Sequence, residues 1–164
     1  MERKKITVEE LLERYEKGER DFSKIILEYA DLSGVELRNL SFGGAILSYV
    51  NLSNIKLECC NLRAEFMYCN FTNAVMENCD LGWARFFDCD LRKAISRLCT
   101  LSSTKFTRVN LENSKLDGSG EDPSEYWDVT REDGVFVPGF TFDLYMAESI
   151  ERIAELRRNG EDVF

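Results

Sequence analysis

Leucine or phenylalanine returns every fifth residue at Phe22, Leu27, Leu32, Leu37, Phe42, Leu47, Leu52, Leu57 and Leu62. That period belongs to neither an α-helix nor a flat strand, so the chain is read first as an internal repeat. After Leu62 the frame slips by one residue and resumes at Phe66, Phe71, Met76, Leu81, Phe86 and Leu91. It continues through Leu101, Phe106, Leu111 and Leu116, with Ser96 as the one polar occupant. Twenty consecutive pentads result, from Arg20 to about Gly118. Two positions before each large residue sits a small or β-branched one, among them Ala30, Val35, Ala45, Val50, Cys60, Cys69, Ala74, Cys79, Cys89 and Cys99. An in-out-in triplet is a short strand whose alternate side chains share a face, and the two remaining residues can turn a corner. Gly34, Asn39, Gly44, Asn54, Asn73, Asn78, Asn113 and Gly118 end their pentads, and these types accept the positive φ of a type II turn.

Ala30-Asp31-Leu32-Ser33-Gly34 and Cys89-Asp90-Leu91 resemble the A-(D/N)-L-x-x consensus of the pentapeptide-repeat family, including its cyanobacterial-type members, over about a hundred residues. The resemblance implies an all-β solenoid, a right-handed quadrilateral parallel β-helix in which four pentads close one coil. Twenty pentads then give about five coils, roughly 24 Å of rod at ~4.8 Å per rung. The residue missing between Leu62 and Phe66 predicts a distorted corner there. Residues about twenty apart should stack, so Asp31, Asn51, Asn70, Asp90 and Asn110 form one surface ladder and Asp21, Ser41, Asn61, Asp80 and Thr100 another.

Three segments follow: 1–19, a capping helix; 20–120, the repeats; and 121–164, a hairpin-like stretch and a second amphipathic helix. Thr7-Val8-Glu9-Glu10 reads as a capping box, Ile6 and Leu11 as a hydrophobic staple, and residues 7–17 as a lid over the first coil. Behind the repeats, Asp133-Gly134 suits a tight turn, and Phe142, Met146, Ile150 and Ile153 fall on one helical face up to Gly160.

The chemistry excludes more than it assigns. Among 164 residues there is no histidine, so no imidazole base or ligand, and no phosphate loop, nucleophile elbow or dinucleotide fingerprint. The expectation is a non-enzyme with no cofactor and no metal. The six cysteines have no C-x-x-C spacing; five fall in the inward column and read as reduced packing residues, while Cys59 belongs at an exposed corner. Cys79 and Cys99 would stack closely enough for a bridge on Cα spacing alone. Without a signal-type or membrane-length apolar run, a cytoplasmic protein with no membrane contact is expected.

Three sides of the rod should show charged and polar residues. The fourth differs, with Ile26, Tyr29, Ile46, Tyr49, Met67, Tyr68 and Phe87 pointing outward and Tyr29, Tyr49 and Tyr68 aligned along one edge. Such a strip is a seat for the chain's own tail or a candidate protein-binding surface, for an unknown protein partner or a homodimer. The family resemblance raises an alternative, a DNA-mimicking inhibitor of a type II topoisomerase, DNA gyrase. The net charge of −9 invites it, yet residues 20–120 carry twelve acids and twelve bases, and the surplus lies in 121–164 with twelve acids against four bases. A phosphate mimic needs its charge along the rod itself. Neither a basic patch nor a basic helix supports direct nucleic-acid binding. The reading is a protein-interaction or scaffold module.

Overall fold

The computed structural model describes residues 2–120 and 123–142. Each pentad folds as the alternation dictates: the large central residue and the small residue two before it point inward, and the others face solvent. Leu27, Leu47, Phe66, Phe86 and Phe106 are all buried and stand in register on successive rungs. Their rings stack, with Phe66 to Phe86 at 5.0 Å and Phe86 to Phe106 at 5.2 Å between centroids. The core is therefore a set of columns down the rod axis, and each column is continuous from coil to coil.

Two sides of the quadrilateral are regular sheets. Sheet A contains β2 (Ile25–Glu28), β4 (Ile46–Ser48), β6 (Glu65–Met67), β8 (Arg85–Phe87) and β10 (Lys105–Thr107), all parallel. Sheet B, five strands and also parallel, contains β3 (Glu36–Arg38), β5 (Lys56–Glu58), β7 (Val75–Glu77), β9 (Ile95–Thr100) and β11 (Lys115–Ser119). On the other two sides single residues make the contact. Asp21, Ser41, Asn61, Asp80 and Thr100 form one ladder of parallel bridges; Asp31, Asn51, Asn70, Asp90, Asn110 and Thr130 form the other. Both are the ladders expected from the twenty-residue spacing. Their side chains mainly serve their own corner, because each Asp, Asn or Ser oxygen accepts from the backbone N–H two residues on, as Asp31 does from Ser33 at 2.9 Å and Asp90 from Arg92 at 3.0 Å.

Positive φ occurs at Gly34, Asn39, Gly44, Asn54, Asn73, Asn78 and Asn113, as expected. Gly118 departs from the expectation. It lies in β11 at a register shift, and its missing side chain matters for space, since a Cβ there would sit 2.3 Å from Leu101 Cγ. The left-handed corner is also not reserved for glycine and asparagine: Lys24, Cys59, Trp83, Lys93, Leu98 and the three tyrosines adopt it too. The missing residue after Leu62 is absorbed in one corner. Elsewhere the corner closes with a bond spanning three residues, such as Ala45 N–H to Phe42 C=O at 2.8 Å; here Ala64 N–H reaches Leu62 C=O at 2.7 Å. Register on either side is kept, with Glu65 still beside Ile46.

The ends are closed by different means. Helix α1 (Val8–Glu16) starts at Thr7, whose hydroxyl accepts from Glu10 N–H at 3.2 Å, and Ile6 and Leu11 are buried. The reciprocal half of the capping box is absent because the Glu10 carboxylate goes to Lys4 and Arg14 instead. Before it, β1 (Lys4–Lys5) extends sheet A along β2, and the Tyr15 hydroxyl accepts from Arg38 N–H at 2.9 Å on the edge of sheet B. At the far end, β12 (Glu125–Thr130) pairs parallel with β10, and β13 (Phe136–Thr141) returns antiparallel through a turn at Arg131–Val135. The hairpin forms where Asp133-Gly134 placed it. It also makes a partial further coil, so the solenoid has about six turns where the repeat count gave five. Tyr126 stacks on Phe106 at 5.2 Å, and Arg131 fills the next core position, buried with its guanidinium on Asp133. The α-helix expected from Phe142 lies almost entirely outside the described residues, as does its proposed role as a cap.

The six cysteines are free, five buried and Cys59 exposed. Each inward thiol donates to carbonyls, as Cys69 does to Leu47 O at 3.3 Å and Cys99 to Met76 O at 3.4 Å. Contact with Cys60 and Cys99, with burial, pushes the Cys79 thiol up, and contact with Cys69 does the same to Cys89, while the same contacts lower Cys60, Cys69 and Cys99. Cys79 and Cys89 therefore stay protonated, and all five inward side chains pack as small groups in the core. Among the described residues no helix is long and apolar enough to cross a membrane.

Candidate protein-interaction face

The outward positions of sheet A fall into three columns. The first runs Lys5, Ile26, Ile46, Glu65, Arg85, Lys105, Glu125, and the second Glu28, Ser48, Met67, Phe87, Thr107, Trp127. The third is the corner that follows: Tyr29, Tyr49, Tyr68, Asp88, Arg108 and Asp128, all with φ between 50° and 55°. The seven residues expected on this side are all there, but distributed over the three columns. Ile26 and Ile46 are separated from the tyrosines by Glu28 and Ser48, while Met67 and Phe87 lie beside the corner.

Tyr29, Tyr49 and Tyr68 do line up. Their rings stack at 5.0 and 4.8 Å with planes 8° apart, and all three stay exposed, Tyr29 at 76%. A left-handed backbone at a bulky residue costs about 1–2 kcal/mol, but here the same corner repeats on every rung and the rings hold one another in place. Burial between its neighbours pushes the Tyr49 phenol above its ordinary value. The aromatic seam then steps sideways. Phe87 meets the edge of Tyr68 at 6.1 Å, and the Arg108 guanidinium covers the Phe87 ring at 4.0 Å. Arg108 is held there by Asp88 through two bonds of 2.8 and 2.7 Å, which keep the Asp88 carboxyl below the ordinary carboxylate value. Past Thr107 the seam resumes at Trp127, Phe140 and Phe142, with ring centroids 5.9 and 4.7 Å apart.

Shallow depressions follow the second column, one lined by Met67, Phe87 and Thr107 and the next by Thr107, Trp127 and Phe140. Charges beside them are paired along the rod: Lys5 with Glu28 at 2.6 Å, Arg85 with Glu65 at 3.7 Å, Lys105 with Glu125 at 2.8 Å. Asp88, Arg108 and Asp128 were not singled out from sequence, although adding twenty to Tyr68 leads straight to them. Trp127, twenty beyond Thr107, was within reach of the same count, whereas Phe140 was not, because it lies on the antiparallel return strand β13. Among the described residues, no group of three or more His, Cys, Asp or Glu side chains is placed to hold a metal ion.

A four-sided rod of stacked pentads, two sides sheet and two sides ladder, defines a quadrilateral β-solenoid. The sequence model of the pentapeptide repeats matches in eight copies at residues 21–63, 64–95 and 84–119, and the chain belongs to that family. Among solved structures it is similar to QnrB1, a plasmid-mediated fluoroquinolone resistance protein, with 19% identity over 79% of this chain and 85% of that one, TM-score 0.50. It is also similar to alr5209, a pentapeptide repeat protein from Nostoc Pcc 7120, with 25% identity, 58% and 84% of the two chains and a TM-score of 0.34. HetL, a pentapeptide repeat protein involved in heterocyst differentiation regulation from Nostoc, gives 15% identity, 80% and 100% coverage and a TM-score of 0.27. A search of curated protein sequences gives no significant match.

Proposed function

We propose that the protein is a non-enzymatic protein-interaction module that docks its partner on the aromatic seam of sheet A. The observation that carries this reading is the exposed stack of Tyr29, Tyr49 and Tyr68 running into Phe87 on a rigid sheet. Exposed aromatics on a preorganised surface lose little side-chain entropy on binding, and that makes them anchors of protein interfaces. The flanking charges already have partners, so a docking surface of low net charge is left. The test is capture of a partner from the native host by wild-type protein and by Tyr49→Glu/Tyr68→Glu. A partner lost with the double variant, whose circular dichroism is unchanged, supports the reading; a partner held equally by both proteins refutes it.

The family resemblance raises a second reading, inhibition of DNA gyrase by imitation of duplex DNA; one protein of similar fold is a plasmid-mediated fluoroquinolone resistance protein. Against it stands the neutral rod, with twelve acids and twelve bases in residues 20–120. A supercoiling assay separates the two. Gyrase inhibition that weakens when rod acids are neutralised would replace the docking reading, and no effect at micromolar protein would remove the alternative.

A further inference from the structure

We propose that the tyrosine stack is an oxidative cross-linking site, in which a one-electron oxidant joins Tyr49 to one of its two neighbours as dityrosine and staples adjacent coils. The proposal is independent of what docks on the face. Three features support it. The rings of Tyr29 and Tyr49, and of Tyr49 and Tyr68, lie 5.0 and 4.8 Å apart and nearly parallel, so the ring carbons ortho to the hydroxyls are within a small side-chain rotation of each other. Tyr49 and Tyr68 are close to half exposed and Tyr29 more so, which gives a diffusing oxidant access and the rings freedom to turn. The backbone beneath is fixed by parallel pairing of Ile46, Leu47 and Ser48 with Glu65, Phe66 and Met67, so the two rings cannot drift apart. Holding two reactants at contact distance converts a bimolecular coupling into an intramolecular one, worth several orders of magnitude in effective concentration.

The chemistry balances without any group beyond the oxidant. Each of two phenols gives one electron to the oxidant and its hydroxyl proton to solvent. The two phenoxyl radicals form one Cε–Cε bond. The hydrogens on those carbons then leave as protons while the phenol oxygens regain protons, restoring both rings. The net loss is two electrons and two protons per staple. The other described tyrosines have no such neighbour in ring contact: Tyr15 sits on Arg38 and under Arg20, and Tyr126 stacks on a phenylalanine.

The topology makes the test specific, because Tyr29 and Tyr68 are two rungs apart and only Tyr49 touches both. Full-length protein is exposed to light-activated ruthenium tris-bipyridyl with persulfate as the one-electron oxidant. Dityrosine is read by its fluorescence, by the loss of two hydrogens in intact mass and by peptide mapping of the monomer band. Wild type should give the intramolecular product, Tyr29→Phe and Tyr68→Phe should each retain it through the remaining pair, and Tyr49→Phe should reduce it by about tenfold or more. Urea-unfolded wild type, treated alike, should fall to the Tyr49→Phe level. Undiminished product in Tyr49→Phe, product confined to dimer bands, or mapping to Tyr15, Tyr126 or Tyr145 would overturn the assignment. Circular dichroism of each phenylalanine variant verifies that the fold is retained, since the substitution removes only a hydroxyl from an exposed ring.

Discussion

Sheets A and B are built from the same pentad and rest on the same core, yet they present opposite surfaces. On sheet B the outward residues answer one another by charge from rung to rung: Glu36 with Lys56 at 2.5 Å, Arg38 with Glu58 at 3.2 Å, Glu77 with Arg97 at 2.8 Å. On sheet A aromatic rings occupy the first three rungs of the corner column, step to Phe87 beside it, and recur on a hairpin that sheet B lacks. Inward positions decide how the chain folds, and outward positions are free to specify what it meets. The charged ladder contributes little, since exposed pairs are worth about 0–1 kcal/mol. The aromatic side keeps apolar area exposed, the feature on which both proposals above rest.

The largest expected effect breaks both sides together. Phe86→Ala removes the middle ring of a buried stack and should cost about 3–5 kcal/mol, read as a lower urea midpoint; a loss below about 1 kcal/mol would show that the two sheets do not share one core. Gly118→Ala should act on sheet B alone. The new methyl would press on Leu101 and lower stability by about 1–3 kcal/mol, and unchanged stability would mean that β11 slides freely past its neighbour. Asp88→Asn probes sheet A. The folded Asp88 carboxyl lies below its ordinary 3.8, so its contribution is complete above that pH and disappears as the pH falls through the still lower folded value. At pH 7 the variant should therefore be less stable by about 0.5–1 kcal/mol, and it should converge with wild type in acid; a gap that persists there would assign the effect to packing. The smallest change is expected from Lys56→Ala on sheet B, under about 0.5 kcal/mol and abolished by high salt.

The stacking register, both bridge ladders, the buried thiols and the tyrosine alignment were all legible in the sequence. Each follows from a period that survives simple counting. What was lost falls where the period is occupied by the wrong type of residue. Tyr126 and Arg131 keep the frame of Leu101, Phe106, Leu111 and Leu116, but an arginine at a core position hides the sixth turn until Asp133 is seen to neutralise it. The left-handed corners at Tyr29, Tyr49 and Tyr68 were unreadable for a related reason. Residue preference assigns that conformation to glycine and asparagine, and here the repeat imposes it on whatever stands there. The sideways step from Tyr68 to Phe87 depends on ring orientation, which no spacing rule contains.

The short corner at Leu62–Ala64 carries a lesson about how such a molecule tolerates change. Because the lost residue is taken up within one bend, every later rung keeps its compass direction, and Tyr68 still stands under Tyr49 although nineteen residues separate them. The bend works as an expansion joint. Deletions at bends would leave the pattern displayed along each flank intact, whereas the same deletion inside a strand triplet would turn the core residues outward.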